Sequence, residues 1–218
     1  MSYLASWSGG KDCCMAYWEA QNSGLELSGL FNTLSVEYDR VRFHGTEARL
    51  LQLQAEAMGV PVLQATTADG SYTEDFKRAL RPLPPDVTGM VFGDMYNDLH
   101  LEWVQGVCAD LGLECVEPLW GRDPNEVLCS FLDAGFEAMV VCVDGSLLEE
   151  SWVGTIVDHR FREHLLSRGL DPCGEKGEYH TMVVNGPLFQ RRVEIRRSRI
   201  VEMKGFFLLD TQEYGLGE

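Results

Sequence analysis

Short apolar runs alternate with stretches of helical periodicity through the first half of the chain. "SYLASW" (2–7), "ELSGLFNTL" (26–34), "VPVLQATT" (60–67), "TGMVFGD" (88–94) and "LECVEPLW" (113–120) predict strands. Between them, "DCCMAYWEAQNSG" (12–24), "TEARLLQLQAEAMG" (46–59) and "LHLEWVQGVCADLG" (99–112) predict helices, the first two closed by Gly24 and Gly59. Strands separated by helices of about a dozen residues specify right-handed crossovers, hence an α/β unit on a mostly parallel sheet.

The pattern changes after "LWGRDPNE". A helix over 124–134 and a strand, "FEAMVVCVDG" (136–145), come next. Residues 146–169 then read as a loop leading into a helix, and the remainder from Asp171 as two tight Gly-rich turns and a β-rich end. A domain boundary is expected near Gly121, dividing the chain into 1–120 and 121–218.

Composition narrows the classes. The net charge of −16 argues against capture of DNA by a basic surface. Six of the 18 basic residues lie between Arg191 and Lys204, where "RRVEIRRSRIVEMK" reads as the solvent face of a β-hairpin rather than a binding patch. No 18-residue apolar run and no basic-then-apolar leader is present, so neither a membrane span nor a signal peptide is expected. The seven cysteines are scattered without a Cys-x-x-Cys pair, which fits reduced cytoplasmic thiols better than disulfides or a zinc site.

One stretch carries chemistry. "SWSGGKDCC" (6–14) follows a strand and opens a helix, the place where an open α/β sheet presents ligands. Gly9 and Gly10 let backbone N–H groups approach an anion, the helix start adds partial positive charge, and Lys11 adds a full one. Asp12 at the mouth of a phosphate site makes sense as a magnesium partner, because a bare carboxylate would repel phosphate. The spacing is neither that of a Walker A loop nor G-x-G-x-x-G. An ordinary strand-to-helix turn capped by Ser8 would explain two glycines, but not Ser, Lys and Asp beside them.

The same residues resemble the PP-loop, Ser-Gly-Gly-x-Asp-Ser, of ATP pyrophosphatases that release pyrophosphate from ATP while adenylating a substrate. "FHGTEARLLQLQAEAMGVPV", "LEESWVG" and "CGEKGEYHTMVVNGPLF" are similar, in order and spacing, to the diphthine–ammonia ligase (diphthamide synthetase) family. This resemblance runs over nearly the whole chain. It implies a Rossmann-like, adenine nucleotide α-hydrolase-type N-terminal domain that binds ATP and a smaller mixed α/β C-terminal domain for the substrate. The implied reaction is attack of a carboxylate on the α-phosphate of ATP, then displacement of AMP by ammonia to give an amide. ATP and Mg2+ are the implied cofactors. The acceptor would be diphthine on elongation factor two or an unknown small acid, with no DNA or membrane partner and with room for a homodimer.

Residue by residue, the resemblance assigns Ser8, Gly9, Gly10, Lys11, Asp12 and Cys13 to the nucleotide, with Asp12 on transient magnesium. Asn32 and Gly93, at the ends of two strands, join that set. Lys11, Asp12, Glu175 and Glu178 are the implied catalytic groups. His44, Asp94, Ser151, Trp152, Tyr179, His180 and Thr181 are the implied acceptor contacts. Two positions depart from the family pattern. Cys13 stands where a serine hydroxyl is usual, and a thiol is the poorer donor. His180 replaces a glutamate, substituting a neutral or titrating imidazole for a carboxylate. Two other readings compete: a PP-loop tRNA thiolation enzyme, and a non-catalytic ATP- or AMP-binding module.

Overall fold

The computed structural model describes residues 1–35, 47–68 and 70–217. Its first half is a five-stranded, all-parallel sheet. The elements are β1 (Ser2–Ser6), α1 (Lys11–Asn22), β2 (Leu27–Ser35), α2 (Ala48–Met58), β3 (Val62–Thr67), α3 (Tyr72–Leu80), β4 (Val87–Val91), α4 (Asp98–Leu111) and β5 (Glu114–Val116). Strand order is β3-β2-β1-β4-β5, with β1 paired in parallel to both β2 and β4. Connections therefore leave β1 in opposite directions, and a crevice opens at the carboxyl ends of β1 and β4.

Side-chain alternation sets the layers. Leu4, Phe31, Met90 and Phe92 pack beneath Phe76 and Leu80 of α3 and Val104, Val107 and Cys108 of α4. Tyr3, Ala5, Trp7, Leu30 and Val91 face the other way, into a core shared with α1 and α2. There α2 is covered twice. Leu51, Ala55 and Met58 join that first core, whereas Leu50 and Ala57 join Val141, Met182, Val184 and Val193 of a second sheet. A helix enclosed on both sides is apolar on more than one stripe, which "ARLLQLQAEAM" shows.

The second sheet has the order β7-β6-β9-β8 and is antiparallel. It is built from β6 (Glu137–Asp144), β7 (Tyr179–Asn185), β8 (Val193–Met203) and β9 (Phe206–Leu216), with α5 (Pro124–Asp133) and α6 (His159–Ser167) beside it. The 191–204 stretch forms the hairpin expected of it. Its turn has positive φ at both Lys204 (53°) and Gly205 (85°), the twist that suits a tight hairpin. Arg197 and Arg199 meet Glu213 and Asp210 across the strands.

Two features differ from the sequence reading. Helix α3 was not anticipated: it is nine residues long, and its apolar face reduces to Tyr72, Phe76, Ala79 and Leu80. The predicted strand 113–120 is paired only over Glu114–Val116, because Pro118 has no N–H to give a ladder and the chain turns away at 118–121.

Candidate active site

The loop after β1 is held from the side opposite its mouth. Gly9 takes φ +86°, and a Cβ there would sit 2.8 Å from Gln54 Oε1. Its carbonyl accepts from Val183 N of β7 (2.8 Å) and from Gln54 Nε2 (2.9 Å). Gln54 also donates to the Val183 carbonyl (2.7 Å) and accepts from Trp7 Nε1 (2.9 Å). One fully buried amide thus ties the loop, the end of β1 and the second sheet together. The Ser8 hydroxyl accepts from Gly10 N (3.4 Å), and the Cys13 thiol turns back to the Gly10 carbonyl (3.1 Å). Burial pushes the Cys13 thiol up, so it stays protonated.

Lys11 is buried, although it is the cation the phosphates were expected to meet. Its backbone N–H donates to Thr181 Oγ1 (3.1 Å). Its Nζ donates to Asp12 Oδ2 (2.8 Å) and to the Cys173 carbonyl, and lies 5.0 Å from the centre of the Tyr179 ring. Burial is the largest single influence and works against the ammonium, but Asp12, Tyr179 and Cys173 together outweigh it and hold Lys11 well above the ordinary lysine value. Asp12 is raised by its own burial despite Lys11, and its Oδ1 has no partner among the described residues.

The 171–178 turn is brought over this loop by those contacts and organised from within. Glu178, buried, accepts from Asp171 N (3.1 Å) and Lys176 N (3.0 Å), so both carboxylate oxygens serve the turn itself. Asp171 caps Cys173 N (2.8 Å) and accepts from the Tyr96 hydroxyl on the β4–α4 connection. Glu175 is less committed. Burial, then the Asp12 carboxylate, with Asp94 and Asp171 adding to both, push it up to about 8.

The carboxyl end of β4 closes the crevice. Gly93 lies against the start of α1: a Cβ would meet Asp12 C and Cys13 N at 2.9 Å. Asp94 Oδ1 is 2.7 Å from Nδ1 of His100, in the first turn of α4, and this hydrogen bond raises the imidazole. Glu117, just beyond β5, is pushed up to about 7 by burial and then by Asp94, and its Oε1 has no partner among the described residues.

Other expected residues are more distant or play different parts. Asn32 is buried, gives Nδ2 to the Trp7 carbonyl (2.8 Å) and leaves Oδ1 without a partner. Trp152, in a single 3-10 turn (Glu150–Trp152) with exposed Ser151, packs on Phe161, which in turn packs on Tyr179. It reaches the Lys11 region through two rings rather than directly. Burial, and then Lys11, lower His180 to about 4, so of the two states open to it the imidazole takes the neutral one at neutral pH. His44 lies outside the described residues.

Sequence reasoning missed Gln54, Tyr96, His100, Glu117 and Asp171. Gln54 carried a signal. It stands three to four positions from Leu50, Leu51 and Met58, on the apolar stripe of its helix, where a polar side chain needs a buried partner.

Comparison with known proteins places the chain. The family model for the diphthamide synthase N-terminal domain matches residues 1–115, and that for the diphthamide synthase C-terminal domain matches 123–213. A diphthine–ammonia ligase of Danio rerio is 28% identical over 219 residues, covering 89% of this chain and 86% of that one. Its Homo sapiens counterpart is 25% identical over 228 residues, covering 92% and 85%. A solved structure titled as a predicted subunit of tRNA methyltransferase, from Methanocaldococcus jannaschii, superposes with a TM-score of 0.50 at 17% identity. It covers 86% of this chain and 98% of its own, a likeness of fold alone. With both halves matched in order around one crevice, the chain belongs to the diphthamide synthase family.

Proposed function

We propose that this chain joins ammonia to the carboxylate of diphthine at the expense of ATP, releasing AMP and pyrophosphate. The observation that carries this reading is the 8–13 loop at the carboxyl end of β1, braced by Val183 and Gln54 with the 171–178 turn drawn over it. The Asp12 and Cys13 amides, in the first turn of α1, lack intrahelical acceptors and face the leaving pyrophosphate, together with Ser8, Gly9 and Gly10, while the Lys11 amide is held by Thr181. Cys13 contributes through its backbone, since its thiol is committed to Gly10.

Lys11 offers charge to the phosphates from beneath, with Asp12 as its competing partner. Asp12 Oδ1 fits a nucleotide-borne magnesium ion, which would neutralise phosphate charge when bound. Asn32 Oδ1 is an acceptor for the nucleoside end, and Gly93 keeps that wall close. Asp94, Glu175 and His180 are assigned to the acceptor side, with buried Tyr179 and Thr181 behind them, engaged with the Pro172 carbonyl and the Lys11 amide. Glu178 shapes the turn that carries Glu175. Covering the crevice with this turn keeps water from the mixed anhydride. Trp152 supports that cover from behind through Phe161 and Tyr179, and Ser151 stands exposed beside it.

The test is product stoichiometry. With ATP, magnesium, ammonium and a diphthine-bearing acceptor, AMP, pyrophosphate and amide should form in equal amounts. Formation of ADP and phosphate, or of AMP without amide, would overturn the assignment. A small carboxylic acid accepted in place of diphthine would overturn only the choice of acceptor.

A further inference from the structure

Ammonia reaches an enzyme at neutral pH mainly as ammonium, which has no lone pair to attack with. The second half of the proposed reaction therefore needs a base. Three observations converge on one residue. His100 Nδ1 is hydrogen-bonded to Asp94 Oδ1 at 2.7 Å. The ring also stacks on Trp103, with centroids 5.4 Å apart and planes 27° from parallel, so both its position and its tilt are fixed. The described residues give its Nε2 no hydrogen bond, and the side chain is 43% exposed. A carboxylate on one nitrogen, a ring on the face and the other nitrogen free is how proteins orient a histidine for proton transfer.

An ordinary helix-start histidine would look different. His100 sits in the first turn of α4, where the helix dipole disfavours an imidazolium. Local helix chemistry gives no reason for a cation there, and the Asn97 side chain already caps the amide of His100 (3.2 Å). The titratable groups facing the ring are Asp94, Glu117 beyond β5 and Glu175 on the overlying turn, and each favours the imidazolium when it is ionised.

Resting on the ligase reading above, we propose that His100 is the general base that converts ammonium to ammonia, with Asp94 orienting it. His100 Nε2 takes one proton from ammonium. The freed lone pair adds to the acyl carbon of the adenylate, and the carbonyl π pair moves to oxygen. Re-forming the carbonyl breaks the bond to AMP, whose phosphate oxygen leaves with the electron pair. The new nitrogen gives up its second proton to that departing phosphate, and the imidazolium returns its own to water.

Hydroxylamine separates this role from a structural one, because it is neutral at neutral pH and attacks without prior deprotonation. His100→Gln and the wild type should be compared with ATP, magnesium and diphthine-bearing acceptor, using ammonium or hydroxylamine as nucleophile. Amide formation from ammonium should fall about a hundred-fold in the variant, with hydroxamate formation within about threefold of wild type. Equal losses with both nucleophiles, or an unchanged ammonium rate, would overturn the proposal for His100 alone. A wild type that yields neither amide nor hydroxamate would instead bring down the ligase reading and this proposal with it.

Discussion

The carboxyl ends of β1 and β4 lie side by side, yet they are finished in opposite ways. At β1 nearly every group is engaged: Gly9 O is bonded twice, Lys11 N and Nζ are bonded across to the second half, and Gln54 uses donors and acceptor alike. At β4 and β5 the groups are left poised, with Glu117 near 7, His100 raised and one Glu117 oxygen unpartnered. Under the roles proposed above, the difference is a division of labour. A phosphate site works by pre-set geometry and gains from rigidity. A proton-transfer site works by groups whose charge can change near the operating pH.

Removing the buried cation should break the rigid side most severely. Lys11→Met leaves Asp12 without its counter-charge and the Cys173 carbonyl without its donor. Unfolding free energy from urea titration at pH 7 should drop by about 4 kcal/mol, and ATP affinity by at least about tenfold. A loss under about 1 kcal/mol would mean the turn is held by something else.

Next in size is Gly9→Ala. The left-handed backbone and the contact with Gln54 Oε1 together cost about 3 kcal/mol. Expressed in loop geometry, that is about a hundred-fold in ATP–pyrophosphate exchange. Exchange at the wild-type rate would show that the loop does not depend on this fit.

The poised side is sharpened by Glu175→Gln. The folded chain holds the Glu175 proton up to about pH 8, whereas the unfolded chain releases it near 4.5. Stability therefore falls as pH rises through that window, and the neutral glutamine removes the fall. At pH 8 the variant should be more stable than wild type on the order of 2 kcal/mol, after allowing for solvent screening, and equal to it at pH 4. Thermal melts at the two pH values read this directly; a variant less stable at pH 8 would contradict the buried, repelled carboxylate. The smallest effect belongs to the hairpin, where Arg199→Ala breaks an exposed pair with Asp210. It should change stability by less than about 0.5 kcal/mol and leave ATP affinity unchanged.

The same contrast explains what the sequence made legible. The β1 side announced itself because Ser8 to Asp12 are contiguous and sit between a strand and a helix. Its brace did not. Val183 acts through its backbone amide, 174 positions from Gly9, and a backbone bond leaves no side-chain signature. On the β4 side, Asp94 was visible as the polar end of an apolar strand. Its partner His100 was hidden in the first turn of a helix, where periodicity reads only the apolar face. Helix α3 went unread for a related reason, having only Tyr72, Phe76, Ala79 and Leu80 apolar in its nine residues. Glu178 was legible as a site residue through its motif, but only the two backbone bonds show its carboxylate shaping the turn.

If the two strand ends divide the work, the adenylation half must run without the nucleophile. Exchange of labelled pyrophosphate into ATP, measured on the wild-type chain with diphthine-bearing acceptor and magnesium but with ammonium withheld, tests this most directly. The account predicts acceptor-dependent exchange that needs no ammonium. Exchange that begins only when ammonium is added would contradict it, because the phosphate and proton-transfer sides would then act in a single step.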